Sequence, residues 1–179
     1  MKNLNLNLND QTETYTTQPK LVETDGNKYL LSEPVTTKQM YQLMLTLLEQ
    51  EYFRTDQLTS PQKTIQYLQI KMAKYEHEVF CCIYLDSQHR VISFEELFRG
   101  TINAASVYPR EVVKSCLQHN AVAVLLLHNH PSGDPAPSNA DEVLTKRLQE
   151  ALSLIDIRVL DHIVIGGATS ISFAERGLI

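Results

Sequence analysis

The chain has 179 residues, 43% of them hydrophobic, and a formal net charge of −5. That length fits one globular domain with its own core, and the acidic balance speaks against a sequence-independent electrostatic grip on nucleic acid. Three cysteines, two of them adjacent, are poor material for a disulfide framework, so Cys81, Cys82 and Cys116 are expected as packed thiols.

The opening MKNLNLNLND alternates Leu with Asn and has no apolar signal core, and no later stretch reaches the roughly 18 apolar residues of a membrane span. A soluble cytoplasmic protein with no membrane partner is expected. Residues 1–35 are polar and lack a sustained period, which predicts a mobile or partner-dependent arm, with Leu4, Leu6 and Leu8 compatible with an edge strand. From Thr36 the pattern changes: Met40, Leu43, Met44, Leu47 and Leu48 fall at helical spacing behind threonine caps. Pro61 opens a second helix to about Lys74, with Ile65, Leu68 and Met72 on one stripe. The runs 78–85 and 90–94 flank Asp86–His89 as a β-hairpin, and 99–108 reads as a short strand or loop. Pro109 then opens a helix carrying Val112, Val113, Cys116 and Leu117. Residues 121–127 are a buried strand, a helix follows Ser138, residues 157–165 form a further strand, Gly166-Gly167 turns, and 169–173 adds a last strand.

The most informative segment is L-H-N-H-P-S-G-D, followed by Ser138 and Asp141. Side chains at i and i+2 leave one face of a strand about 6.5 to 7 Å apart at Cα, so His128 and His130 can converge on one ion while Asn129 faces away. Pro131, Gly133, Pro135 and Pro137 make a stiff turning segment, and Ser138 fits a helix N-cap. Asp141, in the first turn, could close onto the histidines as the third ligand of a catalytic zinc site with an open fourth position. Ser138 and Asp141 equally fit an ordinary helix-start pair, and the two roles are compatible.

The string H-N-H-P-S-G-D-P-x-P-S-x-x-D, preceded by Tyr108-Pro109-Arg110-Glu111 and followed by Leu160-Asp161-His162, closely resembles RadC-type proteins of the JAMM (MPN+) metalloprotease superfamily. The likeness extends over about residues 36–179, including Glu95–Thr101. It implies an α/β (α+β) fold: a single MPN/JAMM-like, cytidine-deaminase-like domain with a central mixed sheet flanked by helices. It also implies one Zn²⁺ per chain on His128, His130 and Asp141, with Ser138 stabilising an oxyanion and a glutamate beside the metal. Glu78, in the setting Glu78-Val79-Phe80, is the best match for that glutamate, with Glu76 and Glu95 as neighbouring rivals. RadC proteins usually carry an N-terminal helix-hairpin-helix region, which the polar arm does not supply, so a short form is expected and a DNA-repair role does not follow from the likeness. Asn129 between the histidines matches the RadC branch rather than the Ser of many JAMM deubiquitinases, and the letters H-N-H are not the nuclease motif of that name.

The working expectation is hydrolysis of a peptide or isopeptide bond, with Glu78 as general base to a metal-activated water. His162 and Asp161 are candidates for supporting the ligand imidazoles or for bonding neighbouring backbone. Asp134 would complete a Ser-Gly-Asp turn, and His77, His89 and His119 would be solvated. The main rival is a non-enzymatic interaction module with a structural or vestigial metal, linked to DNA repair or mobile elements. A metal-dependent nuclease ranks last, for want of a basic stripe and of clustered carboxylates for two metals. A homodimer is compatible with the sequence.

Overall fold

The computed structural model describes residues 21–24, 28–54, 61–100 and 106–179. The Leu4, Leu6, Leu8 alternation and residues 101–105 lie outside them. The chain divides into two compact units, Met1–Leu47 and Leu48–Ile179.

In the first unit, β1 (Leu21–Thr24) and β2 (Lys28–Leu31) pair antiparallel, Val22 opposite Leu30. The polar composition of this stretch did not predict the hairpin, although Asp25-Gly26 between the strands is a turn signal in its own right. Helix α1 (Thr37–Arg54) starts where expected. The Thr36 hydroxyl accepts from the Gln39 amide at 3.2 Å, and the Gln39 side chain accepts from the Thr36 amide at 2.8 Å, a reciprocal cap. Of its apolar stripe Leu43 is buried, whereas Met40 and Met44 are exposed.

The second unit is built on a five-stranded mixed sheet, ordered β4-β3-β5-β6-β7. Strands β3 (Val79–Leu85) and β4 (Val91–Arg99) form the expected hairpin, β4 running five residues past the predicted Phe94. Its turn is closed by Asp86, whose carboxylate accepts from the amides of Gln88 and Arg90 at 2.8 and 2.9 Å. Strand β5 (Ala123–Asn129) pairs antiparallel with β3 and parallel with β6 (Arg158–Gly166), and β7 (Thr169–Ser172) closes the far edge.

Helices cover both faces, which is why β3 and β5 read as continuous apolar runs. On one face α3 (Pro109–Gln118) and α4 (Asn139–Ser153) bury Val112, Cys116, Leu148 and Leu152 against Phe80, Cys82, Tyr84, Val124 and Leu126. On the other, α2 (Pro61–Met72) buries Leu68 and Met72, the latter with its sulfur 3.9 Å from that of Cys81. All three cysteines are free and buried, as expected, and burial pushes the Cys81 and Cys116 thiols up to about 12. No described helix is long and apolar enough to cross a membrane.

Candidate metal centre

The site forms where β5 leaves the core. Alternation along the strand buries His128 on the α3/α4 face, beneath α4, and turns Asn129 to the other side. The His130 amide donates to the Ile165 carbonyl at 2.8 Å, extending the β5/β6 ladder by one rung. The chain then turns through Gly133, at φ +85°, whose amide donates to the His130 carbonyl at 3.0 Å. This loop lies directly on the end of β6. A Cβ at Gly166 would stand 2.5 Å from the Pro135 nitrogen and 2.6 Å from the Gly133 carbonyl oxygen, so only glycine permits that approach.

Helix α4 begins with a complete capping box. The Ser138 Oγ accepts from the Asp141 amide at 3.2 Å, while Asp141 Oδ2 accepts from the Ser138 amide at 2.7 Å and from its hydroxyl at 2.6 Å. The cap and ligand readings of this pair therefore coexist, because the same carboxylate faces both histidines. His128 Nε2 lies 3.4 Å from Asp141 Oδ1, His130 Nε2 lies 3.6 Å from Oδ2, and the two Nε2 atoms are 2.9 Å apart. These three residues form the one cluster among the described residues that could hold a metal ion.

Hydrogen bonding decides what the cluster can bind. His130 Nδ1 is 2.8 Å from the Asp134 carbonyl, which only accepts, so that nitrogen carries a proton and the neutral ring leaves Nε2 bare. His128 Nδ1 is 2.8 Å from His162 Nε2, and His162 Nδ1 is 2.6 Å from the Thr145 hydroxyl. The Nε2 atoms of both rings and the Asp141 carboxylate thus face one point, where an ion can take the place of the proton between them. An ion bonded at about 2.0–2.2 Å in a tetrahedral array needs ligand atoms about 3.3–3.6 Å apart, and the observed separations lie at or just below that range. The residues fit a divalent cation.

Electrostatics agree. The hydrogen bond with Asp141 raises the His130 pKa against the lowering effect of burial, with the Asp134 carbonyl and the charges of Asp141 and Glu78 adding to the rise. Burial works to raise the Asp141 carboxyl, but the adjoining His128 and His130 rings and the Ser138 hydroxyl outweigh it and hold the group well below the usual carboxylate range. His162, wholly buried, is pushed well below the ordinary histidine value by desolvation and stays neutral.

The other candidates separate clearly. Glu78 is half-buried just before β3, and its charge reaches His130. Glu76 is exposed, and Glu95 is engaged elsewhere, accepting from the Ser115 hydroxyl at 2.9 Å and pairing with His119 at 3.3 Å. Asp161 does not reach a ligand imidazole: it accepts from the His162 and Ala174 amides and the Ser172 hydroxyl, tying β6 to the C-terminal turn. His162 does support a ligand. Asp134 serves the turn, its side chain accepting from the Ala136 amide. Among the remaining histidines His89 is exposed, but His77 and His119 are half-buried rather than solvated, His119 because it stacks on Tyr84 at 4.2 Å.

Two residues have roles that the sequence reading does not assign. Asn129 faces away from the ion site, as expected, but its amide group accepts from the Val79 amide at 2.8 Å and donates to the His77 carbonyl at 3.1 Å, gripping the backbone on both sides of Glu78. Thr145, one turn after Asp141, reaches both the Asp141 carbonyl and His162. A buried Asn between two ligands, and a Thr at i+4 from a third, were the available signals.

A family model described as a RadC-like JAB domain matches residues 58–178. A "UPF0758 protein" of Vibrio cholerae serotype O1 is 54% identical over 151 residues, covering 84% of this chain and 95% of that protein. Others with the same name, from Nitrosococcus oceani and Dechloromonas aromatica, are 60% and 49% identical over 132 and 150 residues. Those alignments take in 74% and 83% of this chain, and the chain spans only 59% and 66% of those two proteins. The shared name states no activity.

Proposed function

We propose a function from one premise: the chain belongs to the RadC family. Its described fold, a mixed sheet covered by helices, is that of a JAB/MPN-type domain. The reading is a zinc-dependent hydrolase acting on a peptide or isopeptide bond. The observation that carries it is the convergence of His128 Nε2, His130 Nε2 and the Asp141 carboxylate, three protein ligands of the kind that leave a fourth position open. Zinc, when bound, supplies a Lewis acid that acidifies water and polarises a carbonyl.

The chain's own groups supply the rest. Glu78 takes the water proton on a carboxylate oxygen and returns it to the leaving nitrogen, a role usually worth 10² to 10⁴ in rate. Its backbone is suited to this, since Asn129 grips it from one side and the Gly100 amide donates to the Glu78 carbonyl at 2.8 Å. Ser138 holds its proton on Asp141 Oδ2 in this structure. The same O–H is the donor that Ser138 would offer to an oxyanion, a contribution of roughly 3 kcal/mol where one such donor has been removed.

Elemental analysis of the purified chain should give about one zinc per molecule, and Asp141→Ala should lose it. Glu78→Gln should retain zinc and lose hydrolysis in a screen of peptide, isopeptide and nucleic-acid substrates run with and without chelator. Full zinc occupancy in Asp141→Ala would end the ligand assignment. A zinc-loaded chain inert to every substrate would favour the interaction-module reading.

A further inference from the structure

We propose that Thr145, acting through His162, fixes His128 in the tautomer that can bind a metal. The inference rests on the metal-site reading above and extends it to two positioning residues that touch no ion.

The argument is a count of protons along one buried line. The Thr145 hydroxyl has a single hydrogen and two neighbours at 2.6 Å, the Asp141 carbonyl oxygen and His162 Nδ1. A carbonyl cannot donate, so the hydrogen must point to Asp141; otherwise two lone pairs would face each other at that distance. Back-bonding of a helical Thr to the carbonyl four residues earlier is a common arrangement. His162 Nδ1 must then donate to the Thr145 oxygen. The neutral His162 ring consequently accepts at Nε2, which obliges His128 to carry its proton on Nδ1. His128 Nε2, the atom facing His130 and Asp141, is left with its lone pair, and any proton in its 2.9 Å contact with His130 Nε2 belongs to His130.

On the His162 side, no other polar partner of the ring is found among the described residues. Thr145 is 1% exposed and His162 0%. The remaining sides of the His162 ring meet Phe80 and Phe173, at 5.7 and 4.8 Å between centroids, so the ring's surroundings there are apolar. Without the hydroxyl, His162 would be free to carry its proton on Nε2 and donate it to His128. His128 would then hold its own proton on Nε2, where it blocks the metal. The same hydroxyl bonds the backbone of Asp141, so one side chain steadies two of the three ligands. The assignment also explains why a threonine sits on the buried face of α4, between the apolar contacts of Leu148 and the polar helix start.

The test uses the full chain labelled with ¹⁵N-histidine, stripped of metal and held at alkaline pH, with two-bond ¹H–¹⁵N spectra reporting each ring's tautomer. Wild type should show His128 and His162 both protonated on Nδ1. Thr145→Val should mix the His128 tautomers and weaken zinc binding, measured by competition with a chelating dye, by about 10- to 100-fold. Thr145→Ser should restore both readouts. His162→Gln, whose side-chain carbonyl can still accept from His128, should bind more tightly than His162→Leu. A wild-type spectrum with His128 protonated on Nε2 would overturn the proposal even if Thr145→Val failed to fold, as would zinc affinity unchanged in a folded Thr145→Val. Should wild type take up no zinc, the metal reading fails, and the spectra still decide the tautomer.

Discussion

Asp141 and His130 hold opposite ends of one charge balance, and their shifts give the metal-free protein a defined pH window. Asp141 lies below the ordinary aspartate value of 3.8, so its contribution to stability is present above that value and lost as pH falls through the folded pKa. His130 lies above the ordinary histidine value of 6.5, so its contribution is complete below that value and lost as pH rises through the folded pKa. The metal-free chain should therefore resist urea best between about pH 4 and 6.5. Zinc, which needs the deprotonated imidazoles, should remove the decline on the alkaline side. Urea midpoints across pH, with and without zinc, check this; in Asp141→Asn the acid limb should flatten.

Strand end, loop and helix start act as one piece because Gly166 lets them touch. Gly166→Ala would press a methyl group into the Gly133–Pro135 backbone and displace the carbonyl of Asp134 that orients His130. The expected result is weaker zinc binding together with a loss of about 1–3 kcal/mol in stability, read from zinc titration and denaturant midpoints. The candidate cluster was legible in the sequence, because alternation along a strand and the first turn of a capped helix are local rules that bring His128, His130 and Asp141 together without knowledge of the fold. The β3/β4 hairpin, α3, α4 and the last two strands were legible for the same reason. Gly166, Asn129 and Thr145 were not: each acts on a partner brought near by pairing between distant strands or by helix packing on the sheet. Glu78 is already the better match on its Glu-Val-Phe setting, and the hairpin register sets its rival Glu95 opposite Cys82, several residues along β3. The β1/β2 hairpin is hidden by the polar composition of its stretch, in which Asp25-Gly26 is a lone turn signal.

At the scale of the whole unit, the candidate ion site ties neighbouring elements together: β5 gives His128, the loop after it His130, α4 Asp141, and β6 the ring of His162. A ligand that binds only this assembled state stabilises it by mass action, by about 2.7 kcal/mol at a hundredfold excess over its Kd. Calorimetry should show a transition that rises with added zinc and falls with chelator, and Asp141→Ala should abolish the dependence. All three ligating residues lie between positions 128 and 141, whereas His162 arrives with β6. As a chain emerges from the ribosome, the grasping residues therefore appear before the one that prepares them. On the metal-site reading, a nascent chain should grip an ion firmly only once β6 has docked and the His162 ring is in place.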